Sequence, residues 1–167
     1  LAVTALGGDA AAFGTKPDGT TIDLIADGCY DCVVEGGPGA QGLNGWIFAL
    51  LALDAGGYQA PEGARYTRET IIEAIVSAQG EDGGFSLTGD ALDADITAMA
   101  LQALAPYADG QAEVIDRALA ALSAAQCADG GFASWGAENA ESTAQVVMAL
   151  CALGIDPAAD ERFCKEG

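Results

Sequence analysis

A nine-residue segment occurs twice in this chain at a fixed spacing, and this repetition limits the possible folds more than any other feature. "SAQGEDGGF" at residues 77–85 returns 47 residues later as "AAQCADGGF" at residues 124–132. A weaker third copy is centred on the Gly36–Gly37 pair. Repeats of this length are typical of arrays in which each unit packs on its neighbour. We therefore predict a single repeat domain over residues 1–167, with repeats at approximately 20–54, 67–105 and 111–153.

The hydrophobic pattern predicts two helices in each repeat. The amphipathic segments 67–79 and 111–126 carry their apolar residues on one face, and Thr67 is a plausible N-cap for the first of them. Ser142 followed by Gln145 fits a capping box at the start of another helix. The remaining segments are almost entirely apolar, as expected for inner helices buried on most sides: "NGWIFALLALDAG", "DITAMALQALAPY" and "STAQVVMALCALG". The expected fold is all-α, with inner and outer helices alternating in antiparallel pairs stacked side by side.

The charge of the chain argues against several classes of partner. It has 6 basic and 25 acidic residues and a net charge of −19, which repels nucleic acid and anionic lipid. No apolar run reaches the roughly 18 residues of a membrane span, so we expect no membrane insertion. The opening "LAVTALGGD" has no signal-peptide pattern. The chain has no histidine, which removes the usual general base of catalytic triads, and we expect no cofactor.

The repeated Q-x-x-D-G-G-F motif between an outer and an inner helix resembles the repeat of the squalene cyclase and prenyltransferase superfamily. The alternation extends over the whole chain, and segments such as "LNGWIFALLALDAGGY" are similar to bacterial cell-surface proteins that carry these repeats. Their architecture is similar to the α-barrel domain of transcobalamin. The resemblance implies an α/α toroid, of which this chain would form about half of a full α6/α6 ring. It also implies an extracellular or cell-surface location and a non-catalytic binding or interaction role, with a cobalamin-type small-molecule carrier as the alternative.

An enzymatic interpretation of the same resemblance centres on Asp95. Class II terpene cyclases carry an Asp-x-Asp-Asp motif at the head of an inner helix, and "DADI" places Asp93 and Asp95 on its first two acidic positions. Ile96 stands where the last Asp is required, so Asp95 is the candidate proton donor only in a degenerate frame. The simpler interpretation is that Asp93 or Asp95 caps the next helix. The zinc site of protein prenyltransferases would need a histidine that the chain does not have.

The duplicated motif itself has a structural interpretation. The Asp-Gly pairs supply the positive-φ residue of a tight turn, a simpler role than a calcium loop. By resemblance, the glutamines would hydrogen-bond the backbone ends of neighbouring helices, and the phenylalanines would pack between helices. The motif residues are Gln79, Gly83, Gly84, Phe85, Gln126, Gly130, Gly131 and Phe132.

Five cysteines leave three interpretations open. Cys29 and Cys32 have the spacing of a metal knuckle or redox pair, but no second knuckle follows. Packed free thiols are favoured over one disulfide or a metal site. The other three are Cys127, Cys151 and Cys164.

The helix starts and their loops are expected to form a binding surface. Its lining is predicted to include Asn44, Trp46, Asp93, Asp95, Trp135 and Asn139, for an unknown ligand or protein. Ordinary packing is the alternative role for Trp46 and Trp135. The end helices of a half ring would expose apolar faces, which the remaining helices of the parent protein or a second copy of the chain would cover.

Overall fold

The computed structural model describes residues 1–87, 89 and 91–164. The chain divides into two compact units, Leu1–Ala74 and Ile75–Gly167. We describe each unit by itself.

The first unit combines short helices with a small hairpin. Its elements are α1 (Ala2–Ala5), a 3-10 turn (Ala10–Ala12), β1 (Gly14–Thr15), β2 (Thr21–Ile22), a π-helical segment (Ala26–Tyr30), a second 3-10 turn (Gly37–Gln41), α2 (Leu43–Ala55) and the start of α3 (Arg68–Val76). The outer helix of the weakest repeat is thus reduced to a π-helical segment of five residues. Ile47, Leu50 and Leu53 of α2 are fully buried, so this helix supplies much of the core of the first unit.

The second unit contains the two strong copies of the motif. Its elements are α4 (Ala94–Leu104), a 3-10 turn (Ala105–Tyr107), α5 (Ala108–Ala125), β3 (Phe132–Ser134), β4 (Ala137–Asn139) and α6 (Ala140–Ala152). The central helix α4 packs most extensively against α6 and also against α5. The core of the second unit is made of fully buried leucines together with the phenylalanine that ends the first copy of the motif: Leu101, Leu104, Leu122, Leu150 and Phe85.

The prediction of an all-α, toroid-like fold is wrong. The structure is about 53% helical and also contains two antiparallel two-stranded sheets, β1–β2 and β3–β4. The first hairpin closes on Lys16–Gly19, where the Gly19 amide donates to the Lys16 carbonyl and the Asp18 carboxylate accepts from the Thr20 amide at 2.9 Å. The second closes on Trp135 and Gly136, both with positive φ. Strands of two or three residues are too short to produce a recognisable alternation, and for this reason the helical pattern concealed them.

The predicted helix starts are half right. Thr67 caps α3 as predicted, because its Oγ1 accepts a hydrogen bond from the Thr70 amide at 3.3 Å. The capping box at Ser142 is wrong: α6 begins three residues earlier, and the Asn139 Oδ1 accepts from the Ser142 amide at 2.7 Å. The Ser142 side chain is instead fully buried inside the helix, and its Oγ has no hydrogen-bond partner among the described residues.

All five cysteines are free thiols. Cys29 and Cys32 are buried, which confirms the packed-thiol prediction for this pair. Burial raises the pKa of the Cys29 thiol to about 11, so this thiol is protonated at neutral pH. The prediction of buried thiols is wrong for Cys151 and Cys164, which are exposed. Cys127 is half-buried.

Candidate binding site

The two copies of the motif form the same turn with the same hydrogen bonds. The Gln79 Nε2 donates to the Gly83 carbonyl at 2.9 Å and to the Val114 carbonyl at 2.8 Å. The Gln126 Nε2 donates to the Gly130 carbonyl at 2.8 Å and to the Phe163 carbonyl at 3.0 Å. Each glutamine therefore closes its own turn and ties it to a later segment of the unit. Helix α5 is kinked at the non-helical Gln111, so the Val114 carbonyl lies in the first turn after the kink, in agreement with the predicted bond to a helix end. The Phe163 carbonyl lies outside the helices, so the same prediction is wrong for Gln126.

Aspartate and glycine complete each turn. Asp82 Oδ1 accepts from the Gly84 amide at 2.9 Å, and Asp129 Oδ1 accepts from the Gly131 amide at 3.0 Å. The predicted positive φ is present at the first glycine of each pair, with φ of 85° at Gly83 and 87° at Gly130. The turns are thus held by their own side chains, which gives the aspartates a structural role without a bound cation.

A threonine completes each motif, and sequence analysis missed it. The Phe85 amide donates to Thr97 Oγ1 at 2.9 Å, and the Phe132 amide donates to Thr143 Oγ1 at 3.0 Å. Both phenylalanines are buried. The signal was present in the sequence as a threonine 12 residues after Phe85 and 11 residues after Phe132. The extended motif joins each turn to the first turn of the next inner helix.

The two turns differ at the side-chain oxygen of the motif glutamine. Arg117 donates from Nη1 to Gln79 Oε1 at 3.0 Å and from Nη2 to the Gly80 carbonyl at 2.9 Å. The corresponding Oε1 of Gln126 is buried and has no partner among the described residues. The first turn is therefore more completely satisfied than the second.

Asp93 and Asn139 are N-caps, although both were predicted to line a binding surface. Asp93 Oδ1 accepts from the amides of Asp95 and Ile96 at 2.9 and 3.0 Å. Its other oxygen accepts from the Ser134 hydroxyl at 2.8 Å, which ties the start of α4 to β3. The capping interpretation is confirmed for Asp93. That both residues line a binding surface stays a prediction.

Replacing Asp93 with alanine is expected to lower the free energy of unfolding by about 0.5–2 kcal/mol, because α4 loses its cap and Ser134 its acceptor. The measurement is chemical denaturation followed by circular dichroism. Asp93→Asn is the matched control, since the amide oxygen can still cap the helix and should leave stability within roughly 0.5 kcal/mol of the parent. If both variants lose the same stability, the charge of Asp93 matters and its cap geometry does not.

Asp95 sits in the first turn of α4 and has an unusual environment. It is partly exposed, but its Oδ1 is buried without a hydrogen-bond partner among the described residues. In the cyclase-like frame this residue would be the proton donor, and Ile96, at the last position of the frame, is buried.

The two tryptophans have different environments. Trp46 is half-buried and packs edge-on against Tyr66, with ring centroids 5.3 Å apart. This contact agrees with ordinary packing, the alternative role given above for Trp46. Trp135 forms the tip of the β3–β4 hairpin, is 87% exposed and has a φ of 53°. Positive φ is unfavourable for a bulky residue and is recorded most often at turns and functional positions.

The predicted lining residues are divided between the two units. Asn44 and Trp46 belong to α2 of the first unit, and the Asn44 Oδ1 is buried without a partner among the described residues. Asp93, Asp95 and the hairpin residues belong to the second unit. Within the second unit, the hydrogen bond from Ser134 to Asp93 brings the hairpin next to the start of α4.

A face of α6 is open although its counterpart on α4 is buried. Thr97 and Thr143 make equivalent hydrogen bonds, and this aligns the two helices residue by residue. On α4, Ala94, Thr97, Ala98 and Leu101 are all at most 2% exposed. The aligned residues of α6 are half-buried or exposed, and Val147, which aligns with Leu101, is 39% exposed. We call these four residues the open face: Ala140, Thr143, Ala144 and Val147.

The open face forms one wall of a groove of about 520 Å³. Phe132 and Asn139 also line it, and Asp129 from the turn and Glu138 from β4 contribute two carboxylates. The groove is therefore apolar along the helix and carries acidic side chains from the turn and the hairpin.

Among the residues that the structure describes, no helix has the length and apolar character needed to cross a bilayer. Comparisons of the chain with family models, curated proteins and solved structures gave no match.

Proposed function

We propose that this chain is a non-catalytic interaction module that binds a protein helix through the open face of α6. The observation that carries the proposal is the contrast between Leu101, fully buried on α4, and its equivalent Val147 on α6. Within the unit, α4 is covered by the next inner helix and its hairpin. The same surface on α6 is suited to receive another helix of the same kind.

The partner that fits best is the same face of a second copy of the chain. Two α6 helices can pair across a two-fold axis, and Ala140 and Ala144 would allow close approach. Glu141 is the single charged residue within Ala140–Ala152. In an antiparallel pair each Glu141 lies beside the uncharged C-terminal half of the other helix, so charge repulsion is limited at the contact itself.

The net charge of −19 still opposes association of two copies at long range. Salt screens this repulsion over roughly 10 Å at 0.1 M. Self-association driven by apolar contact is therefore expected to strengthen as salt is raised, the opposite of what a complex held by ion pairs would show.

A cell-surface location and a relation to the prenyltransferase-type repeat remain proposals that rest on the sequence resemblance. A non-catalytic role is supported by Asp93, the first acidic residue of the cyclase-like frame, whose two oxygens are used to cap α4 and to hold Ser134. It is also supported by the absence of histidine from the sequence.

Replacing Val147 with glutamate is expected to weaken self-association at least about tenfold, because the new carboxylate would be desolvated in the contact. Sedimentation velocity over a range of protein concentrations measures the monomer–dimer equilibrium. Ala120→Glu is the matched control, since Ala120 is an exposed residue of α5 outside the open face. A chain that stays monomeric at the highest concentration and in high salt would contradict the proposed partner, and equal weakening by both variants would contradict the proposed face.

A further inference from the structure

The second turn of the motif brings three potential metal ligands together. The Sγ of Cys127 and one carboxylate oxygen each from Asp129 and Glu138 lie within 4.8 Å of one another. Cys127 and Asp129 belong to the turn, whereas Glu138 comes from β4, where it pairs with Ala133 across the hairpin. Two separate elements therefore supply the cluster.

The first turn provides an internal comparison, because it has the same backbone without the cluster. Gly80 stands at the position of Cys127, and both amides bond the carbonyl of the second glycine at 2.9 Å. Asp82 uses both of its oxygens within the protein, one for Gly84 and the other for the Leu92 amide at 2.9 Å.

Asp129, by contrast, is used only in part. Its Oδ1 accepts from the Gly131 amide, and no further acceptor role is recorded for it among the described residues. The thiol and the free carboxylate oxygen are thus additions to a turn that is already closed without them.

The cluster concentrates negative charge in a chain that is already strongly acidic. A divalent cation at this point would offset the repulsion between the two neighbouring carboxylates.

We propose that Cys127, Asp129 and Glu138 form a binding site for a divalent transition metal of the zinc type. The thiolate sulfur favours zinc over calcium or magnesium, and two carboxylate oxygens complete a three-ligand set. Binding releases the thiol proton to solvent, and water fills the remaining coordination position. The bound ion links β4 to the repeat turn at the carboxylates that line the groove. This inference does not depend on the proposed helix partner.

The test uses the reduced 167-residue chain carrying Cys151→Ser and Cys164→Ser, so that Cys127 is the only thiol that is not buried. On titration with Co²⁺, a sulfur-to-cobalt charge-transfer absorption is expected to appear and to saturate at one equivalent of Co²⁺. Added Zn²⁺ should displace the cobalt and remove the absorption. Cys127→Gly, which installs the residue of the first turn, should abolish the absorption. Glu138→Gln should weaken binding by roughly tenfold or more.

Glu113→Gln is the matched control, because Glu113 is an exposed carboxylate of α5 outside the cluster, and it should change affinity less than about twofold. Circular dichroism of each variant shows that it is folded, and Glu138→Gln, an exposed substitution, keeps the test decisive if Cys127→Gly does not fold. The proposal is overturned if the parent shows no charge-transfer absorption. It is also overturned if Cys127→Gly retains the absorption, or if Glu138→Gln and Glu113→Gln weaken binding equally.

Discussion

Replacing Gly83 with alanine is expected to destabilise the protein by about 2–5 kcal/mol, whereas the same replacement at Gly130 should cost about 1–2 kcal/mol. Both glycines have nearly the same φ, 85° and 87°, so alanine carries the same backbone penalty at each. Their surroundings differ. A Cβ at Gly83 would lie 2.8 Å from the Arg117 carbonyl oxygen, while the nearest atom to a Cβ at Gly130 is the Gln126 Nε2 at 3.8 Å.

The difference between the two variants therefore isolates the steric contact between the first turn and α5. The Arg117 carbonyl cannot easily withdraw, because it belongs to the backbone of α5. The free energies of unfolding are compared by denaturant titration of the two variants and the parent. Equal losses at the two positions would mean that the Arg117 carbonyl moves aside without cost and that only φ matters.

The repeat could be recognised from the sequence because its residues have fixed local duties. Gln79 and Gln126 each span four residues to close a turn, and Asp82 and Asp129 each bond an amide two residues ahead. Local interactions of this kind leave an identical spacing in each copy. The N-cap at Thr67 was predictable for the same reason, because it requires a hydroxyl next to a helical pattern.

The hairpins and the exact helix starts could not be read in the same way. The segment around Asn139 contains two possible caps three residues apart, and the tertiary position of β4 selects Asn139 over Ser142. The hairpin tip at Trp135 adopts positive φ despite its bulky side chain, against the local preference of tryptophan. Non-local packing decides both features, and it leaves no periodic pattern.

The candidate site shows the same limit. Asp93 and Asn139 were predictable as polar residues near helix starts; both cap their helices, and Asn139 also lines the groove beside the open face. Glu138 had no motif to mark it, because it meets Cys127 and Asp129 only after β3 and β4 pair. The open face of α6 was likewise hidden, since its residues read as apolar whether or not another helix covers them.

Leu101→Ala and Val147→Ala provide the second large contrast, because the two residues are equivalent in the repeat and differ in burial. Leu101 is fully buried, so its truncation is expected to cost about 2–5 kcal/mol from lost burial and the cavity that remains. Val147 is 39% exposed, and its truncation should cost less than about 1 kcal/mol in dilute protein. Thermal or denaturant unfolding of both variants measures the difference.

Protein concentration then separates packing within one chain from packing between chains. The loss caused by Leu101→Ala should be the same at every concentration, because Leu101 is fully buried within one chain and α4 packs on α5 and α6 of the same unit. The loss caused by Val147→Ala should grow as the protein is concentrated, since association stabilises the folded state by mass action and the variant weakens association. If Val147→Ala lowers the free energy of unfolding by the same amount at low and high concentration, the open face contributes nothing to self-association. The face of α6 that corresponds to the buried face of α4 would then make no contact with a second chain.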